Sequence, residues 1–296
     1  MQITFLGTAA AEGYPDPFCA CGNCVEARAL GGTSFRYRAA ALIDGQLLID
    51  MGPDLFAASM RHALPLNQVR YALQTHPHND HLDALTFFAR HEGCLVQDAQ
   101  TMQYFCSQSS LNRLIALESL ESGSTDLRDP EEQRKRKIEI IIVEPWQEFK
   151  VGGYRVQSVR ASHGGGKIEA MLYAIEDPQG KQLFYGIDTG VLAEGTWNRL
   201  AEMGWVFDLF ILDHTGGFGR PDGGVSHQNA DTFVQEIARA RKAGVIADKT
   251  RILATHFAHH SNPTHEKLAA RTKKAGYEPA YDGMTVEVGA GGAPGA

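Results

Sequence analysis

Thr75-His76-Pro77-His78-Asn79-Asp80-His81 is the stretch that decides how this chain folds and what it binds. Four ligand-type side chains, His76, His78, Asp80 and His81, fall within six residues, directly after the run 69–74 (VRYALQ), which reads as a buried strand. Imidazole and carboxylate groups suit Zn, Mn and Fe. A loop leaving the C-terminal end of a strand lets alternate side chains turn into one cavity. Asp80 and His81 open the following helix, so they point elsewhere from His76 and His78. One short stretch therefore has room to serve two metals. A polar helix-capping turn is the bland alternative, and it leaves so dense a set of donors unexplained.

Outward from that stretch, strand and helix patterns alternate. Residues 2–6 read as a first strand, with no cationic segment and no long apolar run ahead of it. Residues 39–43 and 46–50 read as strands joined at Asp44-Gly45, a hairpin turn signal. Helices are expected over 53–62, 82–91, 229–243 and 263–275, the last with Asn262-Pro263 as its cap and first residue. Further strands are expected at 138–143, 148–151, 154–160, 169–175, 182–185, 209–212 and 251–254. The polar, charged stretch 120–137 reads as an exposed insertion or mobile loop. Residues 1–288 are expected to form one domain and 289–296 a disordered tail.

The His-x-His-x-Asp-His motif resembles the signature of the metallo-β-lactamase superfamily, and the remaining pieces occur in that superfamily's order. Asp50-Met51-Gly52 ends a strand like its first motif. Ser162-His163-Gly164 is similar to the third, Gly186-Ile187-Asp188-Thr189-Gly190 to the fourth, and Ala254-Thr255-His256 to the fifth. The match spans residues 2 to about 287. The resemblance implies an αββα four-layer sandwich of two mixed β-sheets flanked by helices. It implies two divalent catalytic ions (Zn, Mn or Fe): one held by His76, His78 and His163, the other by Asp80, His81 and His256, with Asp188 bridging them beside a water or hydroxide. Such a metal pair activates water and stabilises the entering and leaving oxygens. Asp50 then either orders the ligand loop from behind or caps a turn; the first is favoured.

Cys19-Ala20-Cys21-Gly22-Asn23-Cys24 places three thiols at a spacing that needs one more donor for a closed tetrahedral zinc site. Five cysteines in all argue against a disulfide framework. This cluster resembles one branch of the superfamily, containing the cyclic-phosphate phosphodiesterase of carbon–phosphorus lyase operons and the B protein of pyrroloquinoline-quinone biosynthesis. By that resemblance the fourth ligand of a structural zinc is His259, with His260 as competitor. Cys94 and Cys106 read as buried small hydrophobes.

Asp80 and His227 are the expected catalytic side chains. In phosphodiesterases of the superfamily a histidine near the latter position contacts phosphate or acts as general acid; a surface histidine at a helix start is the other reading. His214 is expected at the cavity rim. Arg36 and Arg38 either approach a substrate phosphate or form surface ion pairs. The 296 residues are 43% hydrophobic and 21% charged with a net charge of −7, a globular composition that disfavours long nucleic acid as partner. No apolar run is long enough to span a membrane, and the expected compartment is the cytoplasm. A homodimer is an open expectation. The leading functional expectation is hydrolysis of a small cyclic or nucleotide-like phosphodiester. Iron-dependent oxygenation, as the quinone-biosynthesis relative implies, and hydrolysis of another ester or lactone are the alternatives.

Overall fold

The computed structural model describes residues 1–122, 126–219 and 224–289. Strands Gln2–Gly7 (β1), Ala40–Ile43 (β2), Leu47–Ile49 (β3), Tyr71–Leu73 (β4), Met102–Cys106 (β5) and Ile138–Ile142 (β6) come from the first half of the chain. Glu148–Val151 (β7), Tyr154–Arg160 (β8), Met171–Glu176 (β9), Gln182–Gly186 (β10), Phe207–Asp213 (β11), Ile246–Thr255 (β12) and Glu278–Pro279 (β13) come from the second, and Thr285–Glu287 (β14) returns to the first sheet. The sheet orders are β14-β1-β2-β3-β4-β5-β6 and β7-β8-β9-β10-β11-β12-β13. Each sheet is antiparallel over one half and parallel over the other: the parallel pairs are β3 to β6 and β10 to β13.

Period-two alternation explains the layers. On β9 and β10, Met171, Tyr173, Ile175, Leu183 and Tyr185 face the space between the sheets, where they meet Ile3, Phe5, Ile43 and Leu73. Their neighbours Leu172, Ala174 and Phe184 face outward onto a second core with Trp197, Phe233 and Leu268. Those three lie on helices Thr196–Glu202, Ala230–Lys242 and His265–Lys273. The outer face of the first sheet packs on helices Leu55–His62, Ala84–Phe88 and Gln108–Ser122. This is the expected four-layer sandwich. Truncating a core residue such as Tyr173 would cost about 3–5 kcal/mol, as for other large aromatics.

The structure departs from the sequence reading in several places. The helix expected from 263 begins at His265 with Thr264 as its cap. Strand Met102–Cys106 and helices Gly22–Leu30, Gln108–Ser122 and Thr196–Glu202 were not expected. Within the charged stretch 120–137, Pro130–Lys135 is helical behind an Asp129 cap, Leu127 is buried, and buried Arg136 bonds Glu118 and Glu132 at 2.8 Å each. Residues 123–125 of that stretch, and 290–296 of the expected tail, lie outside the described residues. Cys106 is buried as expected, but Cys94 is exposed. Among the described residues no helix is long and apolar enough to cross a membrane.

Candidate metal centre

The side chains that converge leave the C-terminal ends of parallel strands: Asp50 after β3, the 75–81 loop after β4, Asp188 after β10, Asp213 at the end of β11 and His256 after β12. Asp50, Asp188 and His256 all adopt left-handed backbone angles, φ 65°, 49° and 62°. Such conformations cost about 1–3 kcal/mol each for non-glycine residues and persist only where the surroundings impose them. Two glycines allow the close approach. A Cβ at Gly52 would meet the Asp80 carbonyl oxygen at 2.2 Å, and one at Gly190 would meet the Gly224 carbonyl oxygen at 2.3 Å.

Two donor groups form around the 75–81 loop, and Asp213 and His227 make a further one with Asp188 and His256. His76, His78 and His163 present ring nitrogens within 4.8 Å of one another, as do donor atoms of Asp80, His81, Asp188 and His256. His76 Nε2 lies 2.9 Å from His78 Nδ1, and His163 Nε2 lies 3.1 Å from the same atom. Asp188 stands between the groups, with Oδ2 at 2.6 Å from His81 Nε2 and 2.9 Å from His256 Nε2, and Oδ1 at 3.7 Å from His163 Nε2. Yet His81 Nε2, His256 Nε2 and Asp188 Oδ2 are buried with no hydrogen-bond partner. Buried polar atoms are almost always bonded. Buried donor atoms this close together that make no hydrogen bond suit a shared cation, so the donor set fits divalent metal. Electrostatics agree. Burial alone would raise Asp188, but the charges of His256 and His81 outweigh it and hold its carboxyl well below the usual range. Burial would lower His81, but Asp80, Asp50 and Asp188 lift it well above the ordinary imidazole value. The carboxylates call for positive charge.

The nitrogens are set from behind. His81 Nδ1 donates to Asp50 Oδ2 at 2.7 Å, leaving Nε2 to face the cluster. Thr75 Oγ1 donates to Asp50 and lies 3.0 Å from His76 Nδ1, which passes the same orientation to His76. Gln74 Nε2 donates to Asp50 and to the carbonyls of His76 and His81, clamping the loop. His163 Nδ1 donates to the Ser226 carbonyl at 3.0 Å. Asp213, which sequence reasoning passed over, plays a similar part at the second sheet. Thr215 Oγ1 donates to Asp213 Oδ2 at 2.9 Å and lies 2.7 Å from His256 Nδ1. His227 Nδ1 lies 3.3 Å from Asp213 Oδ2 and 3.5 Å from Asp188 Oδ1, with its ring stacked on His256. Burial would lower His227, but the charge and hydrogen bond of Asp213 raise it above its ordinary value. Gln74 and Thr75 carried no recognisable spacing. The Asp-x-Thr pattern of Asp213 and Thr215 at a strand end was the available signal.

The cavity over this centre measures about 190 Å³ and is lined by His78, His163, Asp188, His227 and His256, with Glu12 and His260 at its wall. His214 is not at its rim. It is buried, bonded to Asn262 and Tyr277 at 2.9 Å each, because its ring fills an aromatic cluster with Phe233. Arg36 is buried too, donating to Thr8 and the Ala280 carbonyl. Arg38 pairs with Asp54 at 2.9 Å.

Cys19, Cys21, Cys24 and His259 form a separate donor group. His259 Nδ1 lies 3.2 Å from Cys24 Sγ and 3.7 Å from Cys21 Sγ, while its Nε2 faces Asp16 at 3.4 Å. His260 is absent from this group and lines the central cavity. Three sulfurs and one nitrogen fit a closed zinc site.

Comparison with known proteins completes the picture. The model of the beta-lactamase superfamily domain matches residues 46–257. No curated protein sequence matches significantly. Among solved structures, a diphosphatase of the PhnP family aligns with TM-score 0.71 at 19% identity, covering 96% of both chains. Zn-bound PqqB from Methylobacterium extorquens aligns with TM-score 0.71 at 18% identity over 97% of this chain and 100% of that one. The short form of human tRNase Z aligns with TM-score 0.62 at 18% identity over 97% and 99%. The chain belongs to the metallo-β-lactamase fold superfamily.

Proposed function

We propose that this protein is a dinuclear metal-dependent phosphodiesterase acting on a small cyclic or nucleotide-like phosphodiester. The observation that carries the reading is the convergence of two donor groups on Asp188, with the His227–Asp213 pair beside them in one cavity. Divalent ions held there (Zn, Mn or Fe) supply a nucleophile at neutral pH and offset charge on the phosphoryl oxygens.

The protein's own groups do the rest. His76, His78 and His163 form one ligand set and Asp80, His81 and His256 the other, with Asp188 shared. Asp50 and Asp213 hold their imidazoles in the tautomer that leaves the outer nitrogen free. His227 keeps its Nδ1 proton on Asp213, so its Nε2 is the atom that gives a proton to the departing alkoxide. Positioned proton transfer of this kind contributes about 10²–10⁴ in rate. A poised proton donor beside the donor groups suits a reaction with an alkoxide leaving group. A zinc held by Cys19, Cys21, Cys24 and His259 would tie the N-terminal loop to the segment carrying His256.

Turnover of bis(p-nitrophenyl) phosphate and ribose 1,2-cyclic phosphate by Mn- or Zn-loaded protein is the expected result. Absence of turnover on every phosphodiester tried, at full metal occupancy, would overturn the reading.

A further inference from the structure

Two loops carry the second sheet's share of the centre. Residues 214–217 follow β11 and Asp213, and residues 256–262 follow β12. The two strands are parallel neighbours, so the loops leave the sheet side by side. The first loop carries Thr215, which bonds Asp213 and lies against His256 Nδ1. The second begins with His256 and also carries His259 of the cysteine group. The aim of His256 Nε2 therefore depends on how one loop is registered on the other.

Asn262 sits between them, fully buried. Its Nδ2 donates to three carbonyls: His214 at 3.1 Å, Thr215 at 3.3 Å and Ala258 at 3.2 Å. All three are acceptors only, which settles the orientation of the amide. Its Oδ1 then accepts from His214 Nδ1 at 2.9 Å, and His214 Nε2 accepts from the Tyr277 hydroxyl at 2.9 Å. Tyr277, His214 and Asn262 form one directed chain that ends on the two loops. A Cβ at Gly217 would meet the Ser261 carbonyl oxygen at 2.3 Å and Asn262 Oδ1 at 2.7 Å, so the loops close this tightly only because that position is glycine.

A buried amide can satisfy stranded backbone groups or it can set a register. The three carbonyls separate these roles, because each has another donor: the Gly217 amide for His214, Ser261 Oγ for Thr215 and the Asn262 amide for Ala258. None would be orphaned without Nδ2. What the side chain adds is a fixed spacing between the 214–215 and 258 backbone.

We propose that Asn262 is a positioning residue for metal: it registers the Asp213–Thr215 pair on His256 and so aims His256 Nε2 at the ion that histidine holds. The proposal rests on the dinuclear reading of the centre and not on the identity of the substrate.

The test is chelator competition on the Zn-loaded protein, which reads the affinity of each ion and uses no substrate. In Asn262→Ala one of the two central ions is expected to bind about ten-fold more weakly, the lower end of the effect of groups that hold metal ligands from behind. The other central ion and the cysteine-bound zinc should keep their affinities. Asn262→Ser, which retains a small donor in the same turn, should show the same selective weakening to a smaller degree, and it carries the test if the alanine variant does not fold. Gln133→Ala removes a comparable clamp, on the Leu127 carbonyl and the Ile140 amide at the β6 edge of the first sheet. It should lower the melting temperature without moving any metal affinity. Unchanged affinities in a folded Asn262 variant, or equal weakening of both central ions as in a general loosening, overturn the positioning role and leave the dinuclear reading in place. A wild type that takes up neither central ion removes that reading, and the proposal with it.

Discussion

Asp50 and Asp213 do the same thing in two sheets, to different ends. Each is fully buried, each accepts the Nδ1 proton of one histidine directly, and each reaches a second histidine through a threonine hydroxyl. Around Asp50 both histidines, His81 and His76, belong to metal donor groups, and the direct contact is short at 2.7 Å. Around Asp213 both His256 and His227 form a further donor group with Asp188, with Nδ1 atoms 3.4 and 3.3 Å from Asp213 Oδ2, and His227 is partly open to the cavity. Burial pushes the Asp50 carboxyl up. At Asp213 the charge and hydrogen bond of His227 outweigh burial and hold the carboxyl below its ordinary range. Asp50 orients two imidazoles that lie in the cluster; Asp213 orients one such imidazole and a second, His227, that is open to the cavity.

That contrast can be broken or sharpened by mutation. Asp188→Ala, which strikes the residue shared by both donor groups, should cost at least about a thousandfold in turnover, as when a catalytic unit is dismantled. The two central ions should be lost with it, as read by elemental analysis. His227→Gln should cost about 10²–10⁴ on an alkyl diester whose leaving group needs a proton. The loss should be far smaller for bis(p-nitrophenyl) phosphate, and equal losses on both would remove His227 as a proton donor. Asp50→Ala should weaken metal affinity by about 10–100-fold, measured by competition with a chelator. Asp213→Ala should show its main effect instead in kcat for poor leaving groups. If the two aspartate variants behave alike, the division of labour is wrong. Thr75→Val and Thr215→Val remove only the hydroxyl relays and should each cost about 1–3 kcal/mol of stability in a denaturant titration.

A last variant tests a histidine outside both relays. His265 accepts from Arg36 at 3.0 Å, and burial together with the Arg36 charge pushes its pKa from 6.5 down to about 4. The unfolded chain binds this proton first as pH falls. The stability His265 contributes is thus intact above pH 6.5 and drains away towards pH 4, about 2 kcal/mol by pH 5. The stability gap between wild type and His265→Asn should shrink by that amount between pH 7.5 and 5, with metal content unchanged at pH 7.5.

The residues of the two donor groups around the 75–81 loop were legible in the sequence because ligand-type chemistry is local. His76, His78, Asp80 and His81 lie in one turn, and His163, Asp188 and His256 each end a recognisable strand. The strands of the inter-sheet core were legible from alternation. Helix Gln108–Ser122 was not, since its apolar stripe of Leu111, Leu114 and Ile115 is diluted by serines and charges. Nor were the relays. Gln74, Thr75 and Thr215 are common polar residues whose role depends on which loop the fold sets against them. His214 and Arg36 misled because polar side chains near a strand end are read as facing the cavity, whereas both turn into packed interior and find partners there.

The most direct test is elemental analysis of protein purified without added metal and then fully loaded. The account predicts about three ions per chain, one for the closed cysteine site and two for the pair around Asp188. In Asp188→Ala it predicts retention of the cysteine-bound zinc alone. A fully loaded wild type that holds only that one zinc, or an Asp188→Ala variant that keeps all three ions, would contradict it.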